Sequence, residues 1–578
     1  KALLNDDKVN VSHSEITTFW NGTDEQINKL VRYAEKDAKL VLDLLKKMNF
    51  LDKFFELSKV SGLILQDCLD GGEAQRVENL LLKEFNRNDF VLPCKPHDRE
   101  NDENINQELK GALVLEPITG LHSDSVVYLD FKSMYPSIFI SYNICPTTLL
   151  KENIEGIETS EVPFSTSFVS KSVKEGMMPK ILKMLIEERD KSRAIIKKTA
   201  DVETKRILEA KQQALKIMSN AFYGYTGYIR ARLYIIDIAN TITGCGRYLI
   251  NRTKDIVEKE TSYKVVYGDT DSIMVKIDTN NLDTAFEKGV ELERMINKDL
   301  RDIVEIKIEK VFKTLLILSK KRYVGLSFEK SQKEWKEEIV MKGIETVRRD
   351  WCDLTTKTLY NVLNILLKEQ DEKKAFSYVK DILTKLEKNQ IPIEDLLITK
   401  SISKAISSYK GVQPHINLVK KMKKRDGTAP GVGDRVSYVI VKGLQILSER
   451  SEDPEYVKKN NIPIDAKYYV ENQILPPLER VFEVIGFSKM ELLGIGRQTL
   501  LKEIFKNNNS TTNGNHLENS LPSYDNLSCL KCGKTYRRIP LIGKCIDCQG
   551  EIVFSQGEKK SRYIEPTLGE VTISENQV

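Results

Sequence analysis

The stretch KVVYGDTDSIMVKI, Lys264–Ile277, sets Asp269 and Asp271 one residue apart in a run otherwise built from valine, isoleucine and tyrosine. Apolar alternation on both flanks predicts two strands, with Gly268–Ser272 as the turn between them. In extended backbone, residues i and i+2 face the same side, so both carboxylates would share one surface. Two like charges that close repel unless a cation lies between them. Taken alone, the pair reads equally well as a polar hairpin tip, since Asp and Gly are turn formers. A third acid, Asp130, closes another β-rich run, SVVYLDF at 125–131. By itself it also reads as a turn residue. With Asp269 and Asp271 it gives carboxylates converging from two separate strand regions. Such oxygens suit magnesium, which keeps several waters and takes further ligands from substrate phosphates. Two such ions serve in-line phosphoryl transfer, a chemistry of positioning and charge stabilisation rather than covalent attack by the protein.

Residues 176–225 pattern as a long helical region with a break near TADVET, 199–204. Arg189 and Arg193, four apart in EERDKSR, share a helix face, as do Lys216 and Asn220 in LKIMSNAFYG. If the helices fold back at the break, two arginines, a lysine and an amide form a clamp suited to a triphosphate. The competing reading is a solvated basic face paired with Glu187, Glu188 and Asp190.

A length of 578 residues allows several domains and a large core. With 40% hydrophobic and 30% charged residues the chain is of ordinary globular composition. A net charge of +5 does not by itself call for nucleic acid, so the placing of the basic clusters SKKRY (319–323), VRRD (347–350) and KKMKKRD (420–426) matters more. No apolar run is long enough to span a membrane and no signal peptide is visible, so no membrane role is expected. The chain begins at Lys1, which suggests a fragment, a processed chain or one half of a split protein. Of nine cysteines, four stand in two close pairs near the end. That usage suggests a reducing, intracellular compartment and one metal site rather than a disulfide framework.

DFKSMYPSI from Asp130, KIMSNAFYGYTG from Lys216 and YGDTDS from Tyr267 occur in that order. They resemble motifs A, B and C of the family-B DNA polymerases. The likeness runs from about residue 15 to 505 and is nearest to the delta-type replicative catalytic subunits, with support from TITGCGRYLI, SKKRYVGL, MKGIETVRRD and GDRVSYVI. It implies an α+β right-hand fold with an antiparallel-sheet palm and helical fingers and thumb. The expected segments are an exonuclease remnant (1–55), a connecting region (56–115), palm (116–175 and 229–354), fingers (176–228), thumb (355–505), linker (506–525) and a zinc-binding module (526–570).

By the same resemblance Asp130 and Asp271 would ligate two magnesium ions together with the Phe131 carbonyl, and Asp269 would complete the acidic cluster. Arg189, Arg193, Lys216 and Asn220 would contact the triphosphate, and Ser133 and Met134 would line the nucleotide site. Tyr135 would lie under the sugar and exclude a ribose 2′-hydroxyl, while Tyr223 and Gly224 would floor the nascent base pair. Lys320, Lys321, Arg322, Tyr323, Lys342, Gly343, Arg348 and Arg349 would grip primer-template DNA. Arg193 stands where the family commonly has lysine, which keeps the charge but changes the donor geometry. Met134 stands where many relatives carry leucine. The implied reaction is extension of a primer 3′-hydroxyl with dNTPs. The rivals are an inactive polymerase-like DNA-binding scaffold, which gives no reason for three converging acids, and an RNA-making enzyme, which the bulk of Tyr135 disfavours.

Tyr33 and Asp37 in RYAEKDAKL have the tyrosine-x3-aspartate spacing of the family's third exonuclease motif. The two earlier motifs have no counterpart upstream, and Asp6 and Asp7 lack the expected strand. The chain is therefore expected not to proofread alone, and a separate N-terminal exonuclease chain is a possible partner. At the other end Cys529, Cys532, Cys545 and Cys548 form C-x2-C-x12-C-x2-C after the low-complexity stretch NNNSTTNGN. Four thiolates at this spacing suit one tetrahedral zinc, with an iron–sulfur cluster as the competitor. The segment YRRIPLIGKC resembles the zinc module of archaeal family-D polymerase large subunits, which hints at an archaeal source. The expected location is the cytoplasm in that case, or the nucleus of a eukaryote. The module's partner is an accessory replication subunit or, through Arg537 and Arg538, DNA.

Overall fold

The computed structural model describes residues 3–6, 9, 11, 13–95, 108–152, 155–160, 162–163, 166–300, 303–331, 334–345, 351–426, 429–487, 492, 527–536, 544–556 and 559–562. They belong to two compact units, Lys1–Arg497 and Gln498–Val578.

The first unit opens with five helices, α1 (His13–Trp20), α2 (Asp24–Lys47), α3 (Phe50–Ser61), α4 (Leu65–Asp70) and α5 (Glu73–Asn86). The helix α3 runs across residue 55, where the sequence reading sets the end of the exonuclease remnant. Buried Leu57, Val77, Leu80, Leu81 and Phe85 from α3 and α5 join the main core.

A seven-stranded antiparallel sheet follows. Its strands are β1 (Gly120–His122), β2 (Val126–Phe131), β5 (Lys264–Asp269), β6 (Ser272–Lys276), β7 (Ile306–Ser319), β8 (Arg322–Ser331) and β9 (Glu334–Lys342); β3 (Leu149–Leu150) and β4 (Ser167–Phe168) form a separate hairpin. The order is β5-β6-β2-β7-β8-β9, with β1 also paired to β7. Side chains alternate between the two faces. On β2, Val127, Leu129 and Phe131 enter the larger core, while Val126 and Tyr128 belong to a second cluster with Val266, Met274 and Phe312. Asp130 falls in the second set. This register puts it opposite Ser272 of β6 and Lys307 of β7, at the strand end beside the 270–271 turn.

Helix α6 (Met134–Ser141) leaves β2 directly, and two long helices, α7 (Met177–Ile196) and α8 (Val202–Thr226), form the expected hairpin. The break is chemical: Asp201 caps α8 by accepting from the Thr204 N–H at 2.8 Å. Met177, Met178, Ile181, Leu182 and Leu185 line the buried face of α7 at three- and four-residue spacing. Helices α9 (Ile236–Glu260) and α10 (Leu282–Asp299) complete this part.

Beyond residue 353 come α11 (Asp353–Asn364), α12 (Glu372–Glu387), α13 (Pro414–Asp426), α14 (Pro454–Lys459), α15 (Ala466–Tyr469) and α16 (Leu475–Val484). The expected helical thumb also contains a small antiparallel sheet of β10 (Ile398–Ser401), β11 (Arg435–Ile440) and β12 (Ser451–Glu452). These strands are too short to give a clear two-residue period. Leu316, Val324 and Leu326 from the main sheet and Ile344 just past it share one core with Val362, Leu363 and Phe482. The second unit holds a four-stranded sheet of β13 (Leu527–Cys529), β14 (Thr535–Tyr536), β15 (Ile552–Gln556) and β16 (Lys559–Arg562), in the order β14-β13-β15-β16. Among the described residues no helix is long and apolar enough to cross a membrane.

Candidate active site

A cavity of about 1050 Å³ opens where the ends of β2 and β7 meet α6, α7 and α8. Asp130 and Asp271 stand on one side with Glu309. The Phe131 N–H donates to the Asp271 carbonyl at 2.8 Å, which ties the turn to the end of β2. Burial, followed by the charges of Asp271 and Glu309, pushes the Asp130 carboxyl up to about 7, against the opposing pull of Lys216 and Lys310. Burial also raises Asp271, with Asp269 and Glu309 adding to the shift. A divalent cation between these carboxylates would favour their ionised forms.

The opposite wall is cationic. Arg189, Arg193, Lys197 and Lys198 of α7 and Lys216 and Asn220 of α8 line the same cavity. Burial lowers the Arg189 pKa first and neighbouring Arg193 lowers it further. Its Nη1 donates to Ser133 Oγ at 3.5 Å, while its buried Nε has no partner among the described residues. By contrast, Lys132 pairs with Asp190 at 3.3 Å, and Lys307 pairs with Glu305 at 2.9 Å. The structure thus brings Arg189, Arg193, Lys216 and Asn220 together on one cavity. The competing pairing of the basic face is satisfied elsewhere, since Glu188 takes Lys191 and Lys211.

Ser133, Met134, Tyr135 and Tyr223 complete the lining. The Tyr135 and Tyr223 rings stack with centroids 4.7 Å apart. A Cβ on Gly246 of α9 would lie 3.2 Å from Met134 Cε and 3.3 Å from Tyr135 Cε1, so glycine lets α9 approach this pair. Gly224 does not line the cavity, and a Cβ there would meet nothing.

One expectation is corrected by the turn. Asp269 and Asp271 do not share a surface, because the chain reverses between them. Thr270 adopts φ 61°, a left-handed conformation rare for a β-branched residue. Its N–H donates to the Leu113 carbonyl at 3.0 Å. Asp271 turns into the cavity, while Asp269 accepts from Lys321 Nζ at 2.8 and 3.0 Å. The Lys321 N–H donates to the Tyr267 hydroxyl at 2.7 Å, so the 320–321 turn is docked on the 270–271 turn.

The other expected DNA-gripping residues surround that turn. Lys320 pairs with Glu116, Arg322 with Glu345, and Tyr323 is buried edge-on against Tyr267 and Phe312. Lys342 stands opposite Tyr323 in the sheet. Gly343 has φ 65°, and a Cβ there would come within 2.3 Å of the Lys321 carbonyl oxygen. Arg348, Arg349, Arg537 and Arg538 lie outside the described residues.

Tyr33 and Asp37 lie one turn apart on α2, and Asp6 pairs with Lys36 of the same helix. Among the described residues the only group of three or more His, Cys, Asp or Glu gathered within a single ion's reach is Cys529, Cys532, Cys545 and Cys548, their sulfurs within 4.8 Å of one another. Cys529 and Cys548 are 3.5 Å apart and Cys532 and Cys545 3.6 Å. Four thiolates on a tetrahedral ion, each about 2.3 Å from it, have sulfurs separated by about 3.8 Å, close to what is seen. The Ile546 N–H donates to the Tyr536 hydroxyl at 3.1 Å, and the hydroxyl oxygen lies 2.9 Å from Cys545 Sγ.

Sequence reasoning missed Glu309, Lys197 and Lys198. Glu309 looks like the polar face of an alternating strand. Lys197 continues the four-residue spacing of Arg189 and Arg193, a signal that was there to use.

An antiparallel sheet with carboxylates at its strand ends, faced by a cationic helical hairpin, has the right-hand polymerase architecture of palm and fingers. The family model for DNA polymerase family B matches residues 63–485, and the chain belongs to that family. It is similar to the DNA polymerase delta catalytic subunit of Candida albicans, 38% identical over 86% of this chain and 49% of the relative. The Plasmodium falciparum delta catalytic subunit is 37% identical over 94% of this chain and 50% of the relative. The chain thus spans about half the length of the curated relatives it matches. Among solved structures, the family B DNA polymerase of the hyperthermophilic archaeon Pyrobaculum calidifontis matches with a TM-score of 0.63 and 32% identity, covering 83% of this chain and 60% of that one.

Proposed function

We propose that this chain is a DNA-templated DNA polymerase that extends a primer 3′-hydroxyl with dNTPs. The observation carrying this reading is the charge division of one cavity, with Asp130, Asp271 and Glu309 facing Arg189, Arg193, Lys197, Lys198 and Lys216. Asp130 is half-buried, with its pKa raised by that burial and by the charges of Asp271 and Glu309, and the three acids offer only hard oxygen donors. They fit magnesium, with Asp130, Asp271 and the Phe131 carbonyl as its ligands. When bound, two such ions would stabilise the charge on the attacking and leaving oxygens.

The chain's own residues do the rest. Arg189, Arg193, Lys216 and Asn220 hold the triphosphate, with Ser133 and Met134 beneath it. Stacked on Tyr223, Tyr135 closes the space a ribose 2′-hydroxyl would need. Lys320–Tyr323, braced by Lys342 and Gly343, keep the primer-template near the cavity. Asp269 acts through Lys321, holding that turn against the catalytic one.

Tyr33 and Asp37, one turn apart on α2, are in this reading part of an exonuclease site that a separate exonuclease chain completes. The sulfur spacing supports one zinc in the C-terminal module in preference to an iron–sulfur cluster, whose irons would spread the thiolates further apart. That module's role is to recruit an accessory replication subunit, and the enzyme is intracellular. Addition of dNTPs but not rNTPs to a recessed primer tests the proposal; tight DNA binding without any extension would favour the inactive scaffold.

A further inference from the structure

Glu345 is a buried carboxylate outside the cavity. It lies just past β9, its side chain 7% exposed, and one carboxylate oxygen accepts from both Arg322 Nη2 and Arg480 Nη1. Arg322 opens β8, and its Nε also donates to the Gly343 carbonyl at 3.1 Å. Arg480 belongs to α16 in the thumb. The residue before Arg322 is Lys321, which holds Asp269 of the catalytic turn at 2.8 Å and donates its N–H to Tyr267. An unbroken polar chain therefore runs from Asp269 through Lys321, Arg322 and Glu345 to Arg480.

Packing does not require this bridge. Leu316, Val324, Leu326 and Ile344 already join the sheet to the thumb core, and burying a carboxylate carries a desolvation cost that apolar residues would avoid. What the bridge adds is direction. Guanidinium groups are planar forks with fixed donor angles, so two of them on one carboxylate fix α16 relative to the 320–321 turn more closely than sliding apolar surfaces do.

We propose that Glu345 is a positioning residue that registers the thumb against the catalytic turn, so that duplex held by the thumb presents its primer end to the Asp130–Asp271 cavity. This inference rests on the polymerase reading. It predicts a defect in staying on DNA between additions rather than in nucleotide binding, since neither Glu345 nor Arg480 lines the cavity.

The test uses the full chain, a labelled recessed primer-template, magnesium, dNTPs and a heparin trap that limits each enzyme to one encounter. Arg480→Gln is the main variant because that side chain is 39% exposed and its loss leaves the Arg322–Glu345 pair in place. Glu345→Gln and the double variant accompany it. Changes along such a coupled chain alter function by about 2- to 30-fold. The expected result is a loss of that size in nucleotides added per encounter for each single variant. The double variant should be no worse, with the dNTP KM at the wild-type value throughout. Unchanged product length, additive losses in the double variant, or a shifted dNTP KM accompanied by a lowered Tm would each overturn the inference. A wild-type chain that adds no nucleotide would refute the polymerase reading itself, and this inference with it.

Discussion

Replacing Lys216 with methionine keeps the stem of the side chain and removes one charge. Lys216 lines the cavity without an acidic partner among the described residues, and its charge lowers the pKa of both Asp130 and Asp271. A charge-assisted hydrogen bond to a phosphate contributes about 1.5–3 kcal/mol, which corresponds to roughly 10- to 150-fold in affinity. The dNTP KM for single-nucleotide incorporation should therefore rise by that factor, while the Kd for duplex DNA stays within about twofold because phosphate contacts elsewhere dominate it. Lys211→Met is the matched control, since Lys211 lies on the same helix but pairs with Glu188 at 3.2 Å. A dNTP KM for Lys216→Met within twofold of wild type would refute the assignment of the cavity's cationic wall to the triphosphate.

Tyr135→Ala should reduce selection of dNTPs over rNTPs by about 10- to 200-fold, the range typical of discrimination by pocket shape; competition between the two nucleotide classes on one primer measures it. His122 is buried and donates from Nε2 to the Ile118 carbonyl at 2.8 Å, and burial holds its pKa below 6.5. The unfolded chain takes up that proton first, so stability should be lost as pH falls through 6.5 and level off below the folded pKa. Denaturant melts of wild type and His122→Gln between pH 5 and 8 should differ in that slope, a window set by the unperturbed pKa of about 6.5. Metal analysis of the whole chain should return one zinc, and a strong chelator should unfold the cysteine module while the Tm of the larger unit stays fixed; iron with acid-labile sulfide contradicts the zinc reading.

Much of the fold was legible because long periodic segments dominate it. The α7–α8 hairpin announced itself through helical spacing and the break at 199–204, and β2, β5 and β6 through dense β-branched residues. The convergence of Arg189, Arg193, Lys216 and Asn220 on one cavity followed from four-residue spacings on those two helices. The orientation of Asp269 was not legible, because it depends on Thr270 adopting a left-handed conformation that no propensity signals. Glu309 was hidden for a different reason: on an alternating strand an acid facing a cavity and an acid facing solvent have the same pattern. Glu345 illustrates the limit further, since its two partners lie 23 and 135 residues away in sequence. The strands of the thumb, two to six residues long, were lost among helices.

The most direct test of the central claim is primer extension on a recessed DNA duplex with magnesium and dNTPs, comparing the wild-type chain with Asp271→Ala. The account predicts extension by the wild type and none by the variant, with duplex binding retained. Near-normal extension by Asp271→Ala would contradict it.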